Sequence, residues 1–370
     1  MKRSLLLIIL FLVSEITIPF RSYSQVLRDT SSSNMVKRCV DNIYNFRFNE
    51  AREISEKINN SFPRHPVGHI LNGMIIYWEN FPLLPGTAQG DTFQDEMRAC
   101  IKLGELKTDR DDYAEFLLGN LGARGLLLMF YADNELSNEV FPLAKTTWRY
   151  LRESFSYTSS YDDFYFFTGL YNYYREAYPT RHPVYRVLAV LFPKGDVVKG
   201  LKELRTAAQK SIMLKAEAAF FLSHIFINFE NNYARGETHS RFLYEAYPGN
   251  EQYFAIYIRN LLLLKKYDEA ENLIRSKNGS IRNPFVKAEL TIFSGIISEK
   301  KYRNLQEAQR LYNKGIADIT PYINYGDEIA AYAYFGLSRI ADAQNDRQGK
   351  KLYRKLALDL TDYKAVTFDD

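Results

Sequence analysis

Long apolar runs are scarce in this 370-residue sequence. A helix that crosses a bilayer needs about 20 predominantly apolar residues. The one conspicuous apolar run, at residues 5–13, is far shorter, and no later segment is apolar enough. We therefore expect no membrane span in the mature chain.

An excess of one charge is also missing. The chain has 48 basic and 44 acidic residues, which give a net charge of +4, and the two signs are interspersed. A protein that binds nucleic acid normally carries a concentrated basic patch, and none is evident. We therefore expect no nucleic-acid partner.

Cysteine is rare, since Cys39 and Cys100 are the only two. In an oxidising compartment they could form a single disulfide. Both are flanked by helix-like sequence, and we favour the alternative that they are buried free thiols.

Metal-binding and phosphate-binding patterns are incomplete. His65 and His69 have the spacing to share a metal on a helix, but Pro66 at a first helical position makes His65 a cap. The glycines at 119, 122 and 125 have no preceding strand and no following Gly-Lys-Ser/Thr. They favour close helix packing instead. We expect no metal, no cofactor and no enzymatic activity.

Two acidic pairs, Asp111-Asp112 and Asp162-Asp163, could suggest the carboxylates of a glycoside hydrolase. Adjacent residues on a helix diverge by about 100°, so the members of one pair cannot face each other across a bond. Each pair stands near an expected helix start, and Ser160 with Asp163 resembles a capping box. We expect both pairs to cap helices.

The N-terminus has the pattern of an export signal. Lys2-Arg3 supply positive charge, residues 5–13 are apolar, and Ser24 is a small residue before an expected cleavage site. The alternative is an uncleaved anchor, but the apolar run is too short to span a bilayer. We expect residues 1–24 to be a signal peptide and the protein to be periplasmic or secreted.

What the chain does contain is helical periodicity, with apolar residues at three- and four-residue spacing and few strand signals. The order aromatic–polar–Glu–Ala at 48–51 returns at 267–270. Gly236 lies 34 residues before Ala270, and Pro248 lies twelve after Gly236. Near the C-terminus a longer unit follows: Gly295, Ala308 and Tyr312 are matched 41 positions later by Gly336, Gly349 and Tyr353. Repeats of this size predict stacked helix pairs.

These spacings resemble the tetratricopeptide repeat superfamily. Residues 162–254 are also similar to a divergent exported bacterial branch that resembles the mitochondrial inclusion-body-clearance family. The residues that carry this second resemblance are Gly169-Leu170-Tyr171, Tyr173-Tyr174, Gly195-Asp196, Lys199-Gly200-Leu201, Leu204, Ala207, Glu230, Tyr233 and Tyr247-Pro248-Gly249-Asn250. The resemblance implies an all-α fold, a right-handed superhelix of antiparallel helix pairs, used for protein–protein contact and without catalytic residues. We expect one domain at 25–370, seven to eight helix pairs, and an insertion near 82–91.

Candidate binding residues follow from the first helices of such repeats, which line a concave groove by analogy with the superfamily. Four side chains map to groove positions: Tyr77, Trp78, Asn228 and Arg259. Tyr, Trp and Arg often anchor interfaces. The alternative for Tyr77 and Trp78 is that they pack under the insertion.

The aromatic stretch FYFFTGLYNYY at 164–174 could be a stacking surface. On a helical wheel most of its rings share one half with Leu170, which predicts a wide buried face. Thr168 and Asn172 fall on the other half with Tyr165. Tyr165 is therefore the one ring of the stretch that we expect to be an exposed contact.

The sequence thus favours an exported, non-enzymatic scaffold or adaptor that holds a partner protein or peptide in a concave groove. The alternative is an α-helical carbohydrate-active enzyme or glycan-binding protein, suggested by the 15% aromatic content. A closed toroid with two facing carboxylates in a ring-lined cleft would favour that alternative.

Overall fold

We describe a computed structural model of the chain, which covers residues 25–105, 112–181, 186, 190, 192–277 and 279–369. The expected signal peptide at 1–24 and Asp111 lie outside the described residues. The regular structure of the described residues is helical throughout, without a strand. The α-helices are α1 (Thr30–Tyr44), α2 (Phe48–Ser61), α3 (Val67–Glu79), α4 (Ala88–Gly104), α5 (Tyr113–Asp133), α6 (Ser137–Ser154), α7 (Phe164–Arg181), α8 (Val197–Lys210), α9 (Lys215–Asn228), α10 (Tyr233–Ala246), α11 (Glu251–Leu263), α12 (Tyr267–Ser276), α13 (Pro284–Lys300), α14 (Leu305–Ile319), α15 (Asp327–Ala343) and α16 (Arg347–Leu360).

Successive helices pack in neighbouring pairs and form an α-solenoid. The two helices of a pair differ in burial. Ten of the 14 residues of α9 are buried but three of the 14 residues of α10, and the same contrast separates α11 from α12. The first helix of these pairs is therefore an inner helix, covered on several sides, and the second is an amphipathic outer helix.

The turn within a pair has a recurrent conformation. In six pairs the last residue but one of this turn has a positive φ, between 49° and 61°, although none of these residues is glycine: Phe46, Glu135, Asn231, Lys265, Arg303 and Asn345. In several turns the next residue donates its N–H to a carbonyl five positions back, as Lys266 does to Leu261 at 2.9 Å. This is the Schellman arrangement, which satisfies the last carbonyls of a helix. The helix pairs therefore repeat the backbone conformation of their turns as well as their sequence pattern.

The small residues of the sequence repeats stand where helices approach closely. Ala51, Ala270 and Ala308 are fully buried. A Cβ atom at Gly336 would lie 2.3 Å from the ring of Tyr312, so α15 can pack on that ring only because the glycine has no side chain. A Cβ at Gly295 would lie 2.7 Å from the same ring. The glycines that match across 41 residues therefore lie on the two inner helices that enclose one outer-helix tyrosine.

The expectation that Gly119, Gly122 and Gly125 permit close helix packing is confirmed for two of the three. A Cβ at Gly122 would lie 2.4 Å from the side chain of Ile70, and one at Gly119 would lie 3.0 Å from Pro66. A Cβ at Gly125 would meet no other atom within 4 Å. Close packing thus explains the first two glycines and not the third.

The aromatic stretch at 164–174 is largely core, as its pattern predicts. Phe164, Phe166, Phe167 and Tyr173 are buried. The assignment of a polar half is wrong, because Thr168 and Asn172 are also buried. Helix α8 covers that side of α7, and the Asn172 amide donates to Glu203 Oε2 of α8 at 2.7 Å.

The expectation that Asp163 caps the helix it precedes is wrong, because its carboxylate binds at the start of a different helix. Asp163 directly precedes α7, but its carboxylate accepts the backbone N–H groups of three residues before α9. These donors are Ile212, Met213 and Leu214, at 2.9, 2.8 and 3.1 Å. The buried carboxylate therefore fastens the start of α9 to the start of α7, some fifty residues earlier.

Cys39 and Cys100 are both buried and both free. Burial raises the pKa of the Cys39 thiol to about 12 and raises that of Cys100 further above its usual range. Of the two alternatives that the sequence leaves open, the structure has the free thiols.

Candidate functional site

Inner helices of distant pairs contact each other across the side of the solenoid on which the sequence predicts a concave groove. Tyr44 at the end of α1 donates to Glu217 Oε1 of α9 at 2.8 Å. The Trp78 ring of α3 packs edge-on against Tyr253 of α11, with 5.5 Å between ring centroids. These contacts join helices separated by about 170 residues.

Tyr77 and Trp78, two of the sequence-predicted binding residues, are 3% and 8% exposed. Both rings contact Phe81, at centroid distances of 5.9 Å. The region expected as an insertion consists of the connection up to Thr87 and the first turn of α4. The two rings are thus covered by Phe81, which directly precedes this region, and the alternative that they pack under residues 82–91 stays a prediction. A partner would reach them only if the covering residues moved.

Residues 81–84, which we name the strap, connect the two halves of the solenoid. The Phe81 carbonyl accepts the Asn283 amide at 2.7 Å, and the Leu83 carbonyl accepts the Tyr325 hydroxyl at 3.1 Å. The Phe81 ring packs edge-on against Phe285 and Tyr325. The protein's own strap therefore occupies part of the space that the sequence assigned to a partner.

Asn228 and Arg259, the next two predicted residues, are buried around an inner cavity of about 130 Å³. Arg259 lines the cavity and donates to Glu328 Oε1 at 3.0 Å. Asn228 does not line it, but its amide bonds His224 Nδ1 at 3.0 Å, and His224 does. The residues of the inner cavity are Phe81, Phe220, His224, Gln252, Ala255, Ile256, Arg259, Phe285, Glu289, Phe293, Tyr325, Glu328 and Ile329.

Tyr165, the fifth predicted residue, is half-buried on α7 and packs against the hydrophobic core. It is not among the residues of the inner cavity. The structure thus brings two predicted residues into contact with Phe81, places two at or beside the inner cavity, and separates Tyr165 from all of them.

The inner cavity has two carboxylates, Glu289 and Glu328, and ring-lined walls. Known ligand pockets measure roughly 300–1,000 Å³, and this cavity of about 130 Å³ is much smaller. Glu328 is also engaged by Arg259 and by the Tyr332 hydroxyl. The cavity therefore lacks the size of a glycan-binding cleft.

A concavity with a volume of about 740 Å³ lies on the outer surface, between α8, α9 and α10. We name it the basic groove. Its lining consists of cationic, amide and aromatic side chains, together with two alanines and Thr238. Its residues are Arg205, Ala208, Gln209, Lys215, Ala219, Phe226, Arg235, Thr238, His239 and Phe242.

Aromatic rings form the floor and one wall of the basic groove. Phe226 is buried, and the His239 ring stacks on it with 5.8 Å between centroids and 4° between planes. The guanidinium groups of Arg205 and Arg235 lie 5.9 and 5.8 Å from the Phe226 ring centre. Lys215 Nζ lies 5.7 Å from the Phe242 ring centre. Cation–π attraction holds these cations beside the groove.

The three cations of the basic groove have no carboxylate oxygen within 4 Å among the described residues, whereas some of the surface cations nearby are paired. Glu237 of α10, for example, pairs with Arg241 and with Lys266. Burial, with the charge of Arg205, lowers the pKa of His239 to about 4, so this ring is neutral at pH 7. The groove therefore presents three positive charges without a salt-bridge partner among the described residues. One of them, Lys215, still acts on Asp41, whose pKa burial raises and this lysine lowers.

Two other inter-helix grooves have related positions in the repeat but a different charge pattern. The mixed groove, as we name it, has a volume of about 420 Å³ and lies between α4, α5 and α6. Its residues are Arg98, Ile101, Lys102, Glu105, Arg124, Leu127, Tyr131, Glu139, Pro142, Leu143 and Thr146. There, Arg124 pairs with Glu105 at 2.7 Å. A smaller groove between α12 and α13 contains Glu271, which pairs with Arg275 and Lys301.

Sequence reasoning missed the basic groove because its cations come from three different helices. Arg205, Lys215 and Arg235 form no local motif, and the overall charge gives no hint of them. A comparison of corresponding helices gives one signal. Helices α8 and α10 contribute no acidic residue to the basic groove, whereas the mixed groove contains Glu105, directly after α4, and Glu139 of α6. Using that signal requires knowing which helix positions face the groove.

The histidines at 65 and 69 each have an acidic partner. His65 Nε2 lies 3.2 Å from Glu115 Oε2, and its Nδ1 accepts the Val67 N–H, so His65 serves the start of α3. His69 Nδ1 lies 2.7 Å from Glu96 Oε2. In the part of the chain that the structure describes, no three His, Cys, Asp or Glu residues are arranged to hold a metal ion.

Within the same described ranges, no helix combines the length and the apolar character needed to cross a bilayer. Comparison with protein-family models gave no match, and comparison with curated proteins gave none either.

Proposed function

We propose that this protein is a non-enzymatic helical-repeat adaptor that binds an acidic segment of a partner protein in the basic groove. The observation that carries the proposal is the set of three cations, Arg205, Lys215 and Arg235, without carboxylate partners among the described residues. Opposite charge on a partner segment would complement them.

The floor of the groove adds a second requirement for the partner. Phe242, which is half-buried, presents apolar ring surface beside Lys215, and Phe226 is buried beneath the cations. An apolar or aromatic side chain of the segment would be buried there, and such anchors contribute much of the energy of an interface. The volume of about 740 Å³ suits a few side chains rather than a folded domain. The expected occupant is thus an extended acidic segment with at least one aromatic residue.

The proposal keeps the adaptor function expected from the sequence but moves the binding surface. The predicted residues Tyr77, Trp78, Asn228 and Arg259 are buried, so they contribute to packing in the present arrangement. A tetratricopeptide-like relationship is supported by the turn residues Asn231 and Lys265, which stand 34 positions apart.

Fluorescence anisotropy with labelled peptides of equal length tests the function. We expect an acidic peptide with a central aromatic residue to bind more tightly than its basic counterpart by at least tenfold, and its affinity to fall as salt rises. The double variant Arg205→Gln, Arg235→Gln should weaken this binding, while Arg98→Gln, Lys102→Gln in the mixed groove should not. Equal binding of acidic and basic peptides would overturn the proposal. A single-stranded oligonucleotide that bound better than the acidic peptide would also overturn it.

We also propose that the chain is exported, on the basis of its N-terminal sequence. Mass spectrometry of the mature protein checks this, with an expected first residue of Gln25. A mature protein that retained Lys2 in the cytoplasm would contradict it.

A further inference from the structure

The inner cavity is a polar chamber inside an otherwise apolar arrangement of inner helices. Five of its wall residues are aromatic: Phe81, Phe220, Phe285, Phe293 and Tyr325. Its volume of about 130 Å³ equals the share of about four water molecules in the liquid. The Glu328 side chain is 26% exposed, so the chamber has contact with solvent beside this residue.

Three polar atoms of this wall have no hydrogen-bond partner among the described residues: Glu289 Oε2, Gln252 Oε1 and Arg259 Nε. Glu289 is 4% exposed and Arg259 8%, so water outside the protein does not satisfy them. Leaving a buried polar group without a partner costs free energy. A guest in the cavity could therefore bond these atoms, and two of the three can accept a hydrogen bond.

Charge balance narrows the chemistry of the guest. Arg259 is already compensated by Glu328 at 3.0 Å. Glu289 has one hydrogen bond to the Gln252 amide, at 3.3 Å, and no cation within 4 Å among the described residues. An anionic guest would add negative charge to a balanced pair. A monovalent cation beside an ionised Glu289 would form a second ion pair in the chamber, in addition to Arg259 with Glu328.

The walls favour an organic cation over an inorganic one. Aromatic faces attract ammonium groups and also contact alkyl carbons. A primary ammonium offers the N–H donors that Glu289 Oε2 and Gln252 Oε1 lack.

We propose that the inner cavity binds a small primary ammonium ion, with its nitrogen on Glu289 and Gln252 and its alkyl group against the aromatic walls. Arg259 Nε would then bond a water molecule, because an ammonium group cannot accept a hydrogen bond. The volume limits the guest to an amine with a few carbon atoms. This proposal does not depend on the basic groove.

Proton release accompanies such binding. Burial raises the pKa of Glu289 to about 8, although Gln252 and Arg259 lower it, so the acid is mostly protonated at pH 7. Around it, burial lowers the pKa of His224 to about 4 and raises that of Tyr325, so neither changes charge between pH 6 and 8. Arg259 stays cationic, because Tyr332 and Glu328 raise its pKa by more than burial lowers it. An ammonium guest requires the ionised form of Glu289 and must displace its proton.

Isothermal titration of the full chain with ethylammonium chloride tests the site. We expect saturable binding, the release of close to one proton per ligand at pH 7, and an affinity that rises about tenfold per pH unit from 6 to 7.5. Tetramethylammonium, which has no N–H donor, should bind at least tenfold more weakly, and potassium acetate should give no saturable signal. Absence of saturable ethylammonium binding, or binding without proton release, would overturn the proposal.

Glu289→Gln is the decisive variant, because it keeps the size and hydrogen-bonding capacity of the side chain but cannot ionise. It should lose at least tenfold in affinity, and its remaining binding should not change with pH. Glu271→Gln, which removes an acid outside the cavity, is the matched control and should bind as the wild type does. Circular dichroism verifies that both variants fold. Unchanged binding in Glu289→Gln would also overturn the proposal, whatever the basic groove binds.

Discussion

The basic groove and the mixed groove are made from the same parts of the repeat, yet their charges differ. Each lies between an outer helix and both helices of the next pair. In the mixed groove Arg124 is 3% exposed at its side chain and pairs with Glu105. In the basic groove the arginines at 205 and 235 are exposed and have rings, not acids, beside them.

The repeat thus determines where a groove forms but does not determine what the groove binds. Helix packing creates the concavity in both places, because two neighbouring outer helices cannot fill the space over one inner helix. In the mixed groove, Glu105 pairs with Arg124 from within the chain. In the basic groove we propose that an acidic partner segment takes that role.

Reversing the charge of the basic groove should have the largest effect. We expect Arg205→Glu, Arg235→Glu to weaken binding of the acidic aromatic peptide by roughly a hundredfold, because two attractions become repulsions. Anisotropy titrations at low salt measure it. The same reversal in the mixed groove, Arg98→Glu, Lys102→Glu, should change the affinity less than threefold, and an equal loss there would erase the distinction between the grooves.

Removing an aromatic wall should have the next largest effect. Phe242→Ala takes away the half-buried ring beside Lys215, and we expect the peptide affinity to fall about tenfold. Leu143→Ala in the mixed groove removes a comparable apolar contact and serves as the control. If both truncations left the affinity unchanged, the partner segment would be held by charge alone.

Adding one carboxylate should make the basic groove resemble the mixed groove. Thr238→Glu places an acid three positions after Arg235, on the same face of α10, where it can pair with that arginine. We expect the peptide affinity to fall about fivefold. Thr92→Glu makes the same charge change on an exposed position of α4 and should have no measurable effect; a similar loss in both variants would point to net charge instead of local pairing.

The smallest effect concerns the histidine of the basic groove and appears as a pH dependence of stability. Burial lowers the pKa of His239 to about 4 from 6.5, so the unfolded chain binds more protons between these values. The free energy of unfolding should therefore fall as the pH is lowered from 6.5 to 4, by at most about 1.4 kcal/mol per pH unit from this residue. The effect will be smaller because the ring is partly exposed.

Urea denaturation at several pH values tests this prediction. His239→Gln should remove its share of the pH dependence and leave that of His224, whose pKa is also lowered to about 4 by burial. An identical pH profile in wild type and variant would contradict the proposed titration.

The helical architecture could be predicted from the sequence because local patterns encode it. Apolar spacing, prolines and small residues gave the helix pairs, and Ala51, Ala270 and Ala308 are buried as close-packing positions require. The wheel of α7 identified its core rings but assigned Thr168 to the polar half, because a wheel cannot show that α8 covers that side.

The candidate sites were less predictable. The assignment of Arg259 to the inner side of the solenoid agrees with its position at the inner cavity, but its burial depends on Glu328 and Tyr332, about 70 residues later. Likewise Trp78 is covered by Tyr253 and by the strap. Such contacts leave no periodic signal in either segment.

The sequence alone determined that this chain forms helix pairs with amphipathic outer helices, because helix propensity and burial of one face are local properties read within a few turns. The contacts between inner helices across the solenoid, and the position of the strap between them, are visible only in the tertiary structure. It also decided that Arg205, Lys215 and Arg235 meet over one aromatic floor. The physical reason is that these arrangements depend on contacts between residues far apart in the chain, whose energies a local pattern does not contain.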